Sequence, residues 1–217
     1  MAPYRAEGEA PLWKRWCFLI VGLLLDAFGV ALITRADFGV SAVSSFPYTL
    51  HEAFPIFTFG VWSYLFQLCL TLVLILAAHR VRLQYILAFA VCVCFGYLLD
   101  AACFVTEFFS ATFALRCLYY AVGLTFLVFG VCLLVRSELP ILPQDLFVRE
   151  LSRIKGWKFP ILKTVFDCLC LAGSVTVGLV FCGRLAGLGV GTVISALIMG
   201  KGVGIAGKIL DAMHISK

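Results

Sequence analysis

Phe28-Gly29-Val30-Ala31-Leu32-Ile33-Thr34-Arg35 returns later in the chain as Phe129-Gly130-Val131-Cys132-Leu133-Leu134-Val135-Arg136. Phe, Gly, Val, Leu and the closing Arg recur in order, and each copy ends a long apolar run at an arginine. Two further blocks follow in the same order. Phe59-x6-Phe66-Gln67 is answered by Phe159-x6-Phe166-Asp167, and Gly96-x2-Leu99-Asp100-Ala101 by Gly207-x2-Leu210-Asp211-Ala212. Three blocks in one order indicate an internal duplication of nearly the whole chain. What the first half builds, the second half builds again.

Composition says where that building stands. Of the 217 residues, 63% are hydrophobic, 13% are charged and 20 are Phe. Soluble domains carry roughly 25% charge. Several apolar runs reach about 18–20 residues, enough to cross the hydrocarbon core as helix. A water-soluble fold of this length has no interior that could hide so much apolar surface. The 10 cysteines are not a disulfide framework. Most lie inside apolar runs, where they act as small hydrophobes. Cys92/Cys94 and Cys168/Cys170 are two residues apart, on different helix faces. The net charge of +5 fits basic loops beside a membrane rather than nucleic-acid binding.

The chain reads as a polar tail over 1–15, a first three-helix repeat over 16–104 and a second over 116–212, together one membrane domain. Trp13-Lys14-Arg15-Trp16 has the form of an interfacial anchor. The first span, about 17–34, is too long for a signal peptide, and no small-residue cleavage site precedes Arg35. The following spans are expected near 59–78, 83–104, 118–135, 159–181 and 193–210, with 107–116 as a turn. After the first span of each half comes a segment of different character. Asp37, Gly39 and Ser41 precede a moderately apolar run in one half, and Pro143-Gln144-Asp145 opens the counterpart in the other. Ser41 suits a helix N-cap, Pro143 a first helical turn, and Asp145 the positive end of the helix dipole. A short half-helix is expected at each. The expected fold is therefore an all-α polytopic membrane protein of about six transmembrane helices.

Charge sets the expected topology. With the N-terminus inside and six spans, Arg5, Lys14, Arg15, Arg80, Arg82, the cluster from Arg136 to Lys158, and Lys217 lie on the cytoplasmic side, while Arg35, Arg116 and Arg184 lie outside. Both termini are then cytoplasmic, in a multi-pass protein of the cell (inner) membrane. Three spans per half means that the second copy inserts upside-down. Such inverted repeats build many secondary transporters, with the site at the repeat interface near the midplane.

Three segments resemble the bacterial YczE/YyaS/YitT-type integral membrane family. They are Asp37-Phe38-Gly39-Val40-Ser41 after the arginine-ended first span, Leu142-Pro143-Gln144-Asp145, and Gly187-Leu188-Gly189-Val190-Gly191-Thr192-Val193-Ile194-Ser195-Ala196-Leu197. The family pattern places Pro and Asp where this chain has Ala42 and Ser44. The resemblance thus implies that an acidic group kept at Asp145 is missing from the first half. It also implies transport of a small solute.

Ionisable groups within spans are costly and face a cavity or a partner. Asp26 lies mid-span, opposite Leu127 in the repeat. Lys163 and Asp167 are four apart on one helix and can pair, with Gln67 at the place that matches Asp167. These three, Asp26, Asp167 and Lys163, are the expected ion-coupling groups, for a proton or sodium ion. Arg35 breaks the basic-inside pattern, so it calls for an anion or a carboxylate such as Asp37 or Glu52. The amides around Gly189, Gly191 and Thr192 open a helix and so could hold an anion. Together with Ser41, Ser44, Gln67, Gln144, Asp145 and Arg35 they make up the expected binding set for a small polar or anionic solute.

His51, His79 and His214 have no Ser or Cys at an interpretable spacing, and metal motifs are absent. Neither enzymatic activity nor a cofactor is expected. A non-transporting accessory protein that stabilises a partner is the alternative, and a homo-oligomer is compatible with either role. Topology gives the first test. Reporters fused after Lys155 and at the C-terminus are expected to read cytoplasmic, and those after Glu52 and Ser110 external. A Lys155 fusion that reads external overturns the inverted arrangement.

Overall fold

The computed structural model describes residues 11–78, 83–110, 112–137, 139, 142–157 and 159–212. Those residues form helices and loops, with no strand among them. The order is α1 (Leu12–Ala36), α2 (Ala42–Ala53), α3 (Phe59–Ala78), α4 (Leu83–Glu107), α5 (Phe113–Arg136), α6 (Pro143–Lys155), α7 (Phe159–Val177) and α8 (Val190–Ala212). A π-helical turn, Gly178–Cys182, continues α7. Each half of the chain therefore runs long helix, short helix, long helix, long helix. Five helices are long and apolar enough to cross a membrane, and α8 makes a sixth if its two arms, Val190–Met199 and Gly202–Ala212, bent by 46°, count as one span. The bend falls in a glycine-rich stretch, where a helix breaks most easily. This is an integral, multi-pass membrane protein. Exposed side chains such as Leu72, Leu76, Leu169 and Leu197 are its lipid-facing surface.

Two expected boundaries shift. The Trp13–Trp16 anchor belongs to α1 itself, which starts at Leu12. Trp13 and Trp16 stay exposed, Lys14 lies over the Trp13 ring at 5.8 Å, and Arg15 Nε donates to the Ser137 carbonyl at the end of α5. Arg116 lies inside α5, not in the turn before it, because that helix already starts at Phe113. Arg5, His79, Arg80, Arg82, Lys158, His214 and Lys217 lie outside the described residues.

The centre is the crossing of α1 and α5. More than half of the α1 span is buried (56%), against 22% for the α7 span. The two helices run antiparallel, with Gly22 against Gly130 and Gly29 against Gly123. A Cβ at Gly29 would sit 2.8 Å from the Gly123 carbonyl oxygen, and one at Gly130 would sit 3.0 Å from that of Gly22. Small residues let membrane helices approach backbone to backbone, where dispersion rather than the hydrophobic effect holds them. Around this pair, Leu19, Leu23, Val30, Ile33, Leu124, Leu127 and Leu134 form the main core.

The short helices cross over between the halves. α2 packs on α7 and α6 on α3. Ser41 caps α2, its Oγ accepting from Ser44 N–H at 3.4 Å. Ser45 and Ser174 share a hydroxyl contact of 2.8 Å, and Thr49 donates to the Ala186 carbonyl at 2.9 Å. Phe46, Phe66, Phe147 and Phe166 stack where α2, α3, α6 and α7 meet. α6 starts at Pro143, carries Asp145 in its first turn and stops at Gly156, whose φ of 68° suits glycine.

The glycine crossing is open to test by thermal unfolding in detergent. Gly29→Leu is expected to cost roughly 1–3 kcal/mol or more, because backbone rather than a flexible side chain meets the new atoms. Gly204→Ala, where nothing lies within 4 Å, is expected to be neutral or slightly stabilising. Equal melting temperatures for Gly29→Leu and the parent would show that the close approach does not hold the fold.

Candidate functional site

The first turns of α2 and α6 end at a shared cavity of about 620 Å³. Its apolar wall comes from α1, α3, α4, α5 and α8, through residues such as Val30, Phe59, Phe95, Leu127 and Met199. Its polar groups come from six helices and one cap: Asp26 on α1, Ser41 and Ser44 at the start of α2, Ser63 and Gln67 on α3, Gln144, Asp145 and Arg149 on α6, Lys163 and Asp167 on α7, and Ser195 on α8. Residues spread over more than half the sequence meet here because both short helices direct their first turns at the cavity.

The charges are unevenly served. Lys163 Nζ lies 3.0 Å from Asp167 Oδ1 and 5.5 Å above the Phe166 ring. Lys163 and Arg149, the latter one turn beyond Asp145 on α6, are the cations that act on Asp145. Asp26 differs. It is only 5% exposed, the described charge that acts on it is the like charge of Asp145, and no hydrogen bond or ion pair reaches its carboxylate among the described residues. Gln67 is 2% exposed, and its Oε1 accepts no hydrogen bond among the described residues. Buried polar groups are normally partnered, so two unserved acceptors on one cavity mark a place built for donors.

Four expected binding residues fall elsewhere. Arg35 donates from Nε and Nη2 to the Phe109 carbonyl, at 3.1 and 2.5 Å. Asp37 and Glu52, its anticipated carboxylate partners, pair instead with Arg116 at 3.4 Å and Arg184 at 2.6 Å. Gly189, Gly191 and Thr192 do not offer their amides to an anion. Gly191 N–H donates to the Phe38 carbonyl at 2.7 Å, Gly189 N–H to Thr192 Oγ1 at 3.3 Å, and Thr192 N–H to the Gly189 carbonyl at 3.0 Å. The Gly191 carbonyl in turn accepts from Tyr120 OH at 2.5 Å, and Val40 N–H donates to the Gly187 carbonyl. The stretch before α8 is thus a backbone clasp on the stretch before α2, tight enough that Gly39, at φ +105°, would drive a Cβ into Gly189 and Thr192.

The cavity also holds Ser63, Arg149 and Ser195, which the sequence reading did not select. Ser63 lies one turn before Gln67 on the same face of α3, a spacing that could have found it. Arg149 reads in sequence as one more cation of a basic run, and only the placement of α6 separates it from the others.

The chain belongs to DUF6198. The profile of this family, described as a family of unknown function, matches residues 13–208, well over half the chain. No curated protein and no solved structure matches it. The DUF6198 match takes in every polar cavity residue, from Asp26 to Ser195, as well as the clasp.

The Lys163–Asp167 pair can be separated from its surroundings. Each side chain is about one-third exposed, at 31% and 30%. Asp167→Asn is expected to strand the lysine and cost about 1–2 kcal/mol, below the value for a fully buried pair. Lys163→Gln on that background is expected to recover much of the loss. Additive losses in unfolding measurements would show that the two do not act as a pair.

Proposed function

We propose that this membrane protein is a secondary transporter of a small polar solute, built as two inverted repeats with the binding site between them. The orientation that goes with it has both termini cytoplasmic in the cell (inner) membrane, and a proton or sodium gradient as the driving force. The resemblance of the 37–41, 142–145 and 187–197 segments to YczE/YyaS/YitT-type proteins belongs to the same reading.

The observation that carries it is positional. Under the duplication, Ser44 matches Asp145, Ser63 matches Lys163, Gln67 matches Asp167 and Asp26 matches Leu127. All eight line the one cavity. Equivalent places in the two halves therefore face each other across it, as a site on a pseudo-two-fold axis requires. The crossing at the centre gives further support. Gly22 matches Gly123 and Gly29 matches Gly130, so the contact of Gly22 with Gly130 and that of Gly29 with Gly123 are exchanged by the repeat operation. Antiparallel α1 and α5 are what inversion demands. Intramembrane charges that face a cavity are the mark of ion and solute pathways. Arg35 and the clasp amides, expected to hold an anion, are used elsewhere, and the cations on the cavity are Arg149 and Lys163.

Purified protein in liposomes provides the test. With a proton or sodium gradient imposed and a panel of amino acids, amines and sulfonates offered, uptake of at least one class is expected. Asp26→Asn and Asp145→Asn are each expected to reduce it more than about tenfold while the folded yield persists, the loss of one charged contact at a reacting or binding centre. The accessory reading predicts no flux across the panel and a stoichiometric partner in pull-downs, unaffected by either substitution. That pattern would remove transport from consideration.

A further inference from the structure

Resting on the reading of this cavity as a solute site, we propose that its ligand is a small organic ammonium ion, whose N–H groups donate to the Asp26 carboxylate and Gln67 while its carbon skeleton lies against the apolar wall.

Charge comes first. Three carboxylates (Asp26, Asp145, Asp167) and two cations (Arg149, Lys163) line the cavity. Asp167 has Lys163 at 3.0 Å, and Asp145 is acted on by Arg149 and Lys163. With all five ionised, one negative charge is left over, and Asp26 is the carboxylate on which no cation acts among the described residues. An ionised carboxylate out of water needs a cation, so the missing partner is monovalent and positive.

Hydrogen-bonding capacity narrows the choice. Two acceptors on this cavity, the Asp26 carboxylate and Gln67 Oε1, accept no hydrogen bond among the described residues. Ionised carboxylates accept only, and an ammonium group donates only. An anion or an ether-like solute would leave both acceptors unserved. These buried side chains sit on different helices, α1 and α3, so a ligand with two or three N–H vectors suits them better than one point contact.

Size and wall exclude a bare metal ion as the sole occupant. A volume of about 620 Å³ lies within the roughly 300–1,000 Å³ of small-molecule sites. A sodium ion would leave nearly all of it empty, against Val30, Phe59, Phe66, Leu127 and Met199. Those side chains suit a short alkyl or aryl body, and aromatic faces attract cations.

The test uses four probes of one length on the full chain in detergent: n-butylammonium, n-butyrate, n-butanol and butyltrimethylammonium. Binding is read by calorimetry and by the rise in melting temperature that mass action gives. Saturable binding of n-butylammonium, with n-butyrate and n-butanol at least about tenfold weaker, is expected. Butyltrimethylammonium, which keeps the charge but has no N–H, is expected to lie between. Asp26→Asn is expected to weaken n-butylammonium about tenfold or more, and Gln67→Met several-fold. If Asp26→Asn does not fold, Gln67→Met and the comparison of probes on the parent protein decide. Equal or tighter binding of n-butyrate, no n-butylammonium binding up to about 50 mM, a millimolar limit that only the weakest ligands exceed, or unchanged affinity in a folded Asp26→Asn would each overturn the proposal. Transport of neutral solutes that n-butylammonium does not inhibit would overturn it and leave the transporter reading standing. Specific n-butylammonium binding without flux of any solute would do the reverse.

Discussion

Asp26 is held by a glycine crossing. Gly22, Asp26 and Gly29 fall at positions i, i+4 and i+7 of α1, on the face that meets α5. Opposite Asp26 stands Gly130, where a Cβ would come within 2.8 Å of the Asp26 amide nitrogen. The backbone at Asp26 is thus clamped by direct contact with another backbone. A side chain on so rigid a base needs no hydrogen bond to stay in place, which is how a buried carboxylate keeps both oxygens uncommitted. A leucine at either glycine would part the helices and let the acid find other company.

A second constraint comes from the solvent. Hydrocarbon offers no partners to free N–H and C=O groups, so backbone groups at helix ends and loops beside the spans are best satisfied by protein. At α2, Ser41 meets one orphan amide, and the preceding Phe38–Val40 stretch exchanges backbone bonds with Gly187 and Gly191. The same need explains why the amides before α8 are closed to an anion. They serve the break in the other half. Glycines at 39, 189 and 191 allow two chain segments to lie in contact without side chains between them. What reads in sequence as a ligand loop is a seam.

What was legible in the sequence was local or periodic. The repeated blocks, the apolar runs and the short helices with their Ser41 and Pro143 starts rest on signals within a few residues of each other, and the helices stand where those signals put them. So did the intramembrane charges that meet in the cavity, because burying a charge is expensive wherever it happens. Partners across elements were not legible. Arg35 and Arg136 end matching helices, yet one donates to the Phe109 carbonyl while the other pairs with Asp211 at 2.6 Å. Their fates differ because Asp100 and Asp211 differ. Asp100 accepts from Gly60 N–H at 2.7 Å and from Thr58 Oγ1, capping α3. The residue that matches Gly60 is Pro160, which has no N–H to give. Asp211 cannot repeat the cap and is left for the arginine. The second and third spans of the first half, α3 and α4, pack together, whereas α7 and α8 make no comparable contact, so the partners of the two aspartates could be read only once that packing was known.

The proposed symmetry of the cavity is one of position rather than of charge. A perfect duplicate would set two copies of each ionisable group around one axis, and like charges at close range in a low-dielectric site oppose each other's ionisation. Here serine stands opposite Asp145, serine opposite Lys163 and glutamine opposite Asp167, while leucine stands opposite Asp26. Each pair keeps at most one charge. Three of the four charged members come from the second half, where Lys163 can serve two carboxylates, and the fourth, Asp26, comes from the first. The arrangement separates the acid that the protein's own cations satisfy from the acid they do not. A cation bound between Asp26 and Asp145 would relieve the like-charge repulsion that sets them against each other.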